Sequence, residues 1–331
     1  MLDVASHAGV SVGTVSNVLN YPEKVSPQLR ERVLAAIEEL SFVRNGAARQ
    51  LRAGEVTTVG VILLDIRNPF FTELARGIED TLAAADYTLM LADSDDDPER
   101  EAKYVRLLAE QGVIGLLIVP SSPDLGTYAA LQNRGVRVVL LDAPSPVEGL
   151  SSVAVDDRAG GALAAAHLLE RGHREIVFLN GPHTIWQASA RRAGVDQAVL
   201  AAGLDPELVV RELTLDTLNA AGGDRAIERL MGGEQRPPAA IFCVNDLVAI
   251  GVQRALRRIG GSAMLGSVDV VGYDDIEVAR ELAVPLTSVR QPAYDMGVRG
   301  AQVLLDSDAV AEHIVFQPEL IVRASSSSPG N

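Results

Sequence analysis

The chain has 331 residues, of which 47% are hydrophobic, and a formal net charge of −15. That length accommodates one small domain and one or two of ordinary size, each able to bury a core. One cysteine, Cys243, excludes an internal disulfide and a zinc site built from cysteines. No apolar run reaches eighteen residues and no basic, apolar leader opens the chain, so a cytoplasmic protein without a membrane partner is expected.

At the start, Asp3-Val4-Ala5-Ser6-His7-Ala8-Gly9 is a helix-compatible segment closed by glycine, and Ser11 is placed to cap a second helix through Asn20. Two short helices joined by a tight glycine turn have the form of a helix-turn-helix, which lays its second helix in a DNA major groove. Ser26-Pro27 then offers a cap and a proline at the first helical position of a run to Leu40. Leu29, Val33, Ile37 and Leu40 fall on one face of it, and Val4, Ala8, Val15 and Val18 can pack there. A small three-helix core without a ligand is the competing reading of this pattern. Charge sets the stretch apart. Residues 1–54 hold six Lys/Arg (Lys24, Arg30, Arg32, Arg44, Arg49, Arg52) and five Asp/Glu (Asp3, Glu23, Glu31, Glu38, Glu39), a net of +1 that leaves −16 for the remainder. A body of that sign repels DNA, so only the head can accept it.

After Gly54 short apolar runs alternate with amphipathic helices. Val59–Leu64, Thr88–Ala92, Gly115–Val119 and Val136–Leu141 read as buried strands, with helices near 71–85, 98–111 and 124–134. Ile176–Leu179, Ala240–Val244 and Val268–Gly272 repeat the scheme, which is the signal of α/β units with doubly wound parallel sheets. No Gly-x-Gly-x-x-Gly follows a strand and no Gly-Lys-Ser/Thr loop occurs, so no nucleotide cofactor is expected. The five histidines lack metal-ligand spacing and no serine sits in Gly-x-Ser-x-Gly, which leaves neither a metal nor a catalytic constellation. His173 reads as a turn residue, Asp95-Asp96-Asp97 as a solvated loop before a helix, and residues 325–331 as a disordered tail.

Asp3 to Asn20, read as Asp-Val-Ala-x-x-Ala-Gly-Val-Ser-x-x-Thr-Val-Ser-x-Val-Leu-Asn, resembles the head of the lactose-repressor (LacI/GalR) family of bacterial transcription regulators. Val25-Ser26-Pro27, Arg32-Val33 and Ala48-Arg49-Gln50-Leu51-Arg52 continue the likeness at family spacing, and it extends to about Arg323. The resemblance implies a helix-turn-helix domain over 1–44, a hinge helix over 45–54 and a two-lobe periplasmic-binding-protein-like effector and dimerisation domain over 55–324. By the same likeness Val12, Gly13 and Asn17 read base edges, whereas Ser11, Thr14 and Ser16 touch phosphates. Most relatives have arginine where Asn17 stands, and asparagine suits adenine rather than guanine; a local cap is the competing role. In the hinge, Asn45, Ala48, Leu51 and Arg52 meet DNA, with Leu51 as the wedge between base pairs and Gly46 a loosening departure. Relatives also carry residues before the position of Leu2, including a cap for the first helix. Met1 stands there, so either translation starts earlier or the head is less stable.

The family places its ligand between the lobes, beyond strand ends. Matching positions are Phe70 and Phe71 after the first strand, Asp142, Arg191 in Arg-Arg-Ala-Gly, Asn245, Asp274 and Gln291. Core phenylalanines and inter-lobe salt bridges compete with that reading, and helix N-capping is favoured for Asp246 and Asp275. Leu218 stands where relatives often carry a stacking aromatic, so Trp186 is a candidate substitute, with a surface or core role equally open. Carboxylate, guanidinium and amide groups suit a polyhydroxylated ligand. The whole implies a homodimeric, ligand-responsive repressor of carbohydrate genes and no enzyme. Its partners would be a palindromic double-stranded operator and a sugar or sugar derivative. The alternative is an α/β sugar-binding or sugar-processing protein without DNA function.

Overall fold

The computed structural model describes residues 1–42, 57–233, 237–306 and 310–327. The chain forms two compact units, Met1–Val56 and Thr57–Asn331. The expected hinge helix, with Asn45, Ala48, Leu51 and Arg52, lies outside the described residues.

In the first unit α1 (Leu2–His7), α2 (Val12–Asn20) and α3 (Pro27–Glu39) enclose Val4, Ala5, Ala8, Val15, Val18, Val33 and Ala36. α1 stops because Gly9 takes a left-handed φ of 60°. The Val10 amide then returns to the Ala5 carbonyl at 2.9 Å and the Gly9 amide to that of Ser6 at 3.2 Å, which satisfies two carbonyls the helix would leave orphaned. Ser11 caps α2 by accepting from the Thr14 amide at 3.0 Å. Met1 and Ser26 hold the corresponding positions of α1 and α3, and neither makes a side-chain cap bond. The expected stripe of α3 is corrected at Leu40. The helix ends at Glu39, so Leu40 lies past its last turn, 41% exposed, and Val33, Ala36 and Ile37 face the core instead.

The second unit contains two six-stranded sheets. One has the order β11-β5-β4-β3-β1-β2 and the other β12-β10-β9-β8-β6-β7, and among the described residues every pairing is parallel except β12 against β10. The first sheet is built from β1 (Thr58–Leu63), β2 (Thr88–Asp93), β3 (Gly115–Ile118), β4 (Arg137–Leu141), β5 (Ser151–Val155) and β11 (His313–Phe316). The second holds β6 (Ile176–Asn180), β7 (Val210–Thr214), β8 (Ala240–Cys243), β9 (Asp269–Asp274), β10 (Thr287–Arg290) and β12 (Glu319–Ile321). Each sheet with its helices is a lobe, and the chain crosses between lobes three times, after Val155, Arg290 and Phe316. β2 was expected to be buried, but it is an edge strand and leaves Met90 41% and Leu91 47% exposed.

The helices are α4 (Pro69–Ala84), α5 (Pro98–Glu110), α6 (Gly126–Gln132), α7 (Asp157–Glu170), α8 (Trp186–Ala201), α9 (Pro206–Val209), α10 (Ala220–Gly233), α11 (Asp246–Leu265), α12 (Glu277–Glu281) and α13 (Ala293–Leu305). Reciprocal glycines bring three helix pairs close. In α7 against α8, a Cβ on Gly161 would lie 2.1 Å from the Arg191 carbonyl oxygen and one on Gly194 would lie 1.9 Å from that of Arg158. Gly77 and Gly297 do the same for α4 and α13, as do Gly223 and Gly251 for α10 and α11.

The serine-rich end is not a free tail from its first residue. Ser325 accepts from the Thr287 amide at 2.8 Å and donates to the Val270 carbonyl at 2.6 Å, while Ser326 Oγ lies 2.8 Å from His167 Nε2, so both are buried against the second lobe. Residues 328–331 lie outside the described residues. Gly194→Ala should separate α7 from α8 and destabilise the protein by about 1–3 kcal/mol. Gly232→Ala, whose Cβ meets nothing within 4 Å, should instead gain about 0.5–1 kcal/mol of helix propensity. Thermal unfolding of the two variants checks the contrast.

Candidate functional site

On α2 the helical period turns Val15 and Val18 inward, which leaves Ser11, Val12, Gly13 and Asn17 on the exposed side and Thr14 and Ser16 half-buried. Ser11 Oγ lies 2.9 Å from Thr14 Oγ1, and Ser16 accepts from Asn20 Nδ2 at 3.2 Å. The exposed row is therefore held on a rigid, capped helix.

The second unit contains a cavity of about 480 Å³ walled by both lobes at the carboxyl ends of their strands. Seven of the eight residues expected at an effector site line it: Phe70, Phe71, Asp142, Arg191, Asn245, Asp274 and Gln291. Trp186 does not. It is the first residue of α8 and 53% exposed, because its side chain faces solvent where the Ala188 and Arg191 positions of the same helix turn inward. Phe70 and Phe71 form an edge-to-face pair with ring centres 5.0 Å apart, and Leu218 adds to the apolar wall.

Most of the polar groups are already engaged. Arg191 donates from Nε to Asp157 at 2.8 Å and from Nη1 to the Val244 carbonyl at 2.6 Å, and its guanidinium lies 3.6 Å from the centre of the Tyr273 ring. Asp274 accepts from Asn68 Nδ2 at 3.0 Å and from Gln291 Nε2 at 2.8 Å. Gln187 donates to the Asp142 carboxylate at 2.8 Å and to its carbonyl at 2.6 Å. Asn68 and Asp142 belong to the first lobe, Asp274 and Gln187 to the second, so three hydrogen bonds join the lobes across the cleft. Two buried oxygens, Asp142 Oδ1 and Gln291 Oε1, have no partner among the described residues.

Electrostatics follow from burial. Loss of solvent and then the neighbouring Asp157 push Asp142 well above the ordinary carboxylate range. Burial likewise lifts Asp274 to about 6, against the pull of Arg191 and the two amide donors. Burial lowers Arg191 but Asp157, Tyr273, Asp274 and Asp142 outweigh it, and its guanidinium is held above its ordinary value. Asp95, Asp96, Asp142 and Asp274 all carry positive φ, from 53° to 105°. Such backbone costs of order 1–3 kcal/mol per residue and gathers at functional sites.

Two expectations are corrected. Asn245 is the cap of α11, accepting from the Val248 amide at 2.9 Å and donating to the Leu218 carbonyl at 2.9 Å. Asp246 therefore does not cap; buried, it accepts from Ser288 Oγ at 2.7 Å and from the Ile276 amide at 2.9 Å. Asp275 does not cap either, because Arg290 at 2.8 Å and Arg323 at 2.6 Å take its carboxylate. His173 sits in the turn after α7, 2.6 Å from Asp269. Sequence reading missed Asn68, Gln187, Asp95, Asp96 and Asp216 as lining groups. The run Asp95-Asp96-Asp97 was a usable signal, since only Asp97 was needed as the cap of α5.

Residues 56–313 match the model for periplasmic binding proteins and the sugar-binding domain of the LacI family, and residues 1–45 match that for bacterial regulatory proteins of the lacI family. The HTH-type transcriptional repressor PurR of Aliivibrio fischeri (strain ATCC 700601 / ES114) is 31% identical, with 98% of each chain covered. The HTH-type transcriptional regulator MalR of Streptomyces coelicolor is 34% identical over 100% of this chain and 97% of its own. Among solved structures, a transcriptional regulator CelR–cellobiose complex superposes with a TM-score of 0.71 at 31% identity, covering 98% of both chains.

The raised Asp274 value predicts a pH signature. Its carboxyl binds a proton more tightly folded (about 6) than unfolded (about 3.9), so its favourable contribution is present below about pH 4 and lost as pH rises to about 6. Asp274→Asn carries no such penalty. Its stability relative to the parent should improve by roughly 2–3 kcal/mol between pH 4 and pH 7, read from denaturant melts.

Proposed function

Because the chain belongs to the LacI family of bacterial transcription regulators, we propose that it represses genes of carbohydrate uptake or catabolism. In this reading it grips a palindromic operator as a homodimer in the cytoplasm, and a sugar or sugar derivative sets the strength of that grip. The observation that carries the reading is the cleft itself. The bonds Asn68 to Asp274 and Gln187 to Asp142 already cross it, so a ligand that takes those carboxylates changes how the lobes close. Closure alters the equilibrium between DNA-binding and released forms, a coupling whose sign the ligand's differential contacts decide. Phe70, Phe71, Asp142, Arg191, Asn245, Asp274 and Gln291 are assigned to the effector, which is bound without covalent chemistry. Among the described residues no helix is long and apolar enough to cross a membrane.

DNA contact is assigned to α2. Asn17 reads an adenine edge, Val12 a thymine methyl, Gly13 allows close approach, and Ser11, Thr14 and Ser16 meet phosphates. Asn45, Ala48, Leu51 and Arg52 are assigned from the sequence likeness alone. The edge strand β2, with Met90 and Leu91 exposed, supports a second copy as the partner of the body.

Selection of DNA from a random library should enrich a palindrome whose binding weakens steeply with salt. No enrichment would overturn the reading. Asn17→Ala should lower affinity for the enriched sequence by about tenfold or more while binding to random DNA is unchanged. Leu91→Lys should shift the protein from dimer to monomer in sedimentation and weaken operator binding in parallel; a dimer unaffected by it would place the interface elsewhere.

A further inference from the structure

Three carboxylates and one guanidinium share the buried centre of the cleft. Asp142, Asp157 and Asp274 are 3%, 2% and 7% exposed, and Arg191 is 5% exposed. The lobes hold them unevenly. Asp142 follows β4 in the first lobe, whereas Asp157 of α7, Arg191 of α8 and Asp274 of β9 all belong to the second. Both anions of the second lobe have strong partners: Arg191 donates from Nε to Asp157 at 2.8 Å, and Asp274 accepts from the Asn68 and Gln291 amides at 3.0 and 2.8 Å. Asp142 is served less well. Its Oδ2 accepts from Gln187 at 2.8 Å, and its Oδ1 has no partner among the described residues.

When the lobes meet, Asp142 is therefore the anion carried to a pair that the single cation already serves. It faces Asp157 and Asp274, with Arg191 the opposing charge and Gln187 and the Tyr273 phenol neutral. Farther along the cavity wall lie Asp65, Asp95, Asp96 and Asp216 against one more cation, Arg67, which bridges Asp65 and Asp95. Nothing on the wall balances the excess. A buried charge without a counterion is neutralised rather than kept, and for a carboxylate the neutralising group is a proton. Loss of solvent and then Asp157 tighten the hold of Asp142 on that proton. Separation of the lobes returns Asp142 to water and draws it away from Asp157 and Asp274, so the proton leaves.

We propose that closure of the lobes takes up one proton from solvent onto Asp142 Oδ1, which makes the cleft an acid-sensitive latch. The closed form binds a proton that the open form does not, so the ratio of closed to open is highest in acid. It falls as pH rises, by up to about tenfold per pH unit between the values at which Asp142 titrates in the open and the closed form. The inference rests on the lobe motion of the effector reading, and acid and ligand then act on one equilibrium.

The test measures the distance across the cleft by pulsed electron resonance in the full chain. Cys243 is buried, so spin labels go to Thr72→Cys on α4 and Thr184→Cys ahead of α8, exposed positions on the two lobes beside the cavity. Dilution with unlabelled chain leaves pairs within one protomer, and a melt at each pH checks the fold. The shorter-distance population should shrink as pH is raised from about 5 to about 8.5. Asp142→Asn keeps an acceptor for Gln187 without the charge, and should hold the parent's acid population at every pH. Asp274→Asn, with one anion fewer facing Asp142, should move the midpoint to lower pH. His183, exposed beside one label, is present in both variants, so its titration cannot produce these differences. A parent distribution indifferent to pH, an Asp142→Asn variant that responds as the parent does, or an unmoved midpoint in Asp274→Asn overturns the inference. Each of these leaves the effector reading to its own test by DNA selection.

Discussion

The cleft depends on one guanidinium. Arg191 is buried among Asp142, Asp157 and Asp274, three carboxylates that are themselves almost fully buried. One cation cannot compensate three anions, and desolvation leaves Asp142 and Asp274 with raised affinities for protons. Removing one partner of a buried ion pair is more damaging than never having built it, because the remaining charge is left in low dielectric. The surrounding packing serves that ion pair. Gly161 and Gly194 let α7 and α8 approach until the Arg191 backbone touches α7, and the Tyr273 ring lies under the guanidinium.

Around that centre the strand ends are polar in a consistent way. Asparagines at the starts of α4, α10 and α11 satisfy backbone amides and at the same time form cavity wall. Aspartates at the ends of β4 and β9 take left-handed backbone, which short polar side chains tolerate better than others. Two buried oxygens at the cavity, Asp142 Oδ1 and Gln291 Oε1, have no partner among the described residues. The lobes are joined by three chain crossings and by hydrogen bonds that involve the same carboxylates a ligand would use. A ligand that took those carboxylates would compete with lobe closure for one set of atoms, which is the physical basis of the proposed switch.

The first unit follows a different economy. Its core is a handful of valines and alanines, so capping contributes a large share of its order, at about 1 kcal/mol for each good cap. Ser11 and Gly9 supply such caps on either side of the turn, while α1 begins without one. The turn is thus the best-specified part of the head, and it aims α2.

Local signals determined much of this protein. Gly9 and Ser11 fixed the turn, apolar runs located seven strands, and the strand-end residues Asp142, Asn245 and Asp274 converge with Arg191 of α8 on one cavity. Those features obey rules of capping, period and spacing that act within a few residues. Tertiary structure decided the rest. That β2 is an edge, that Leu40 falls outside its helix, that Ser325 is buried, and that Trp186 faces away from the cleft all depend on which distant segment lies alongside. So does the division of labour between Asn245 and Asp246, where neighbouring residues of similar chemistry receive opposite roles from partners at Leu218, Ile276 and Ser288. A sequence window carries propensity and pattern, whereas burial and hydrogen-bond partners are set by contacts tens to hundreds of residues away.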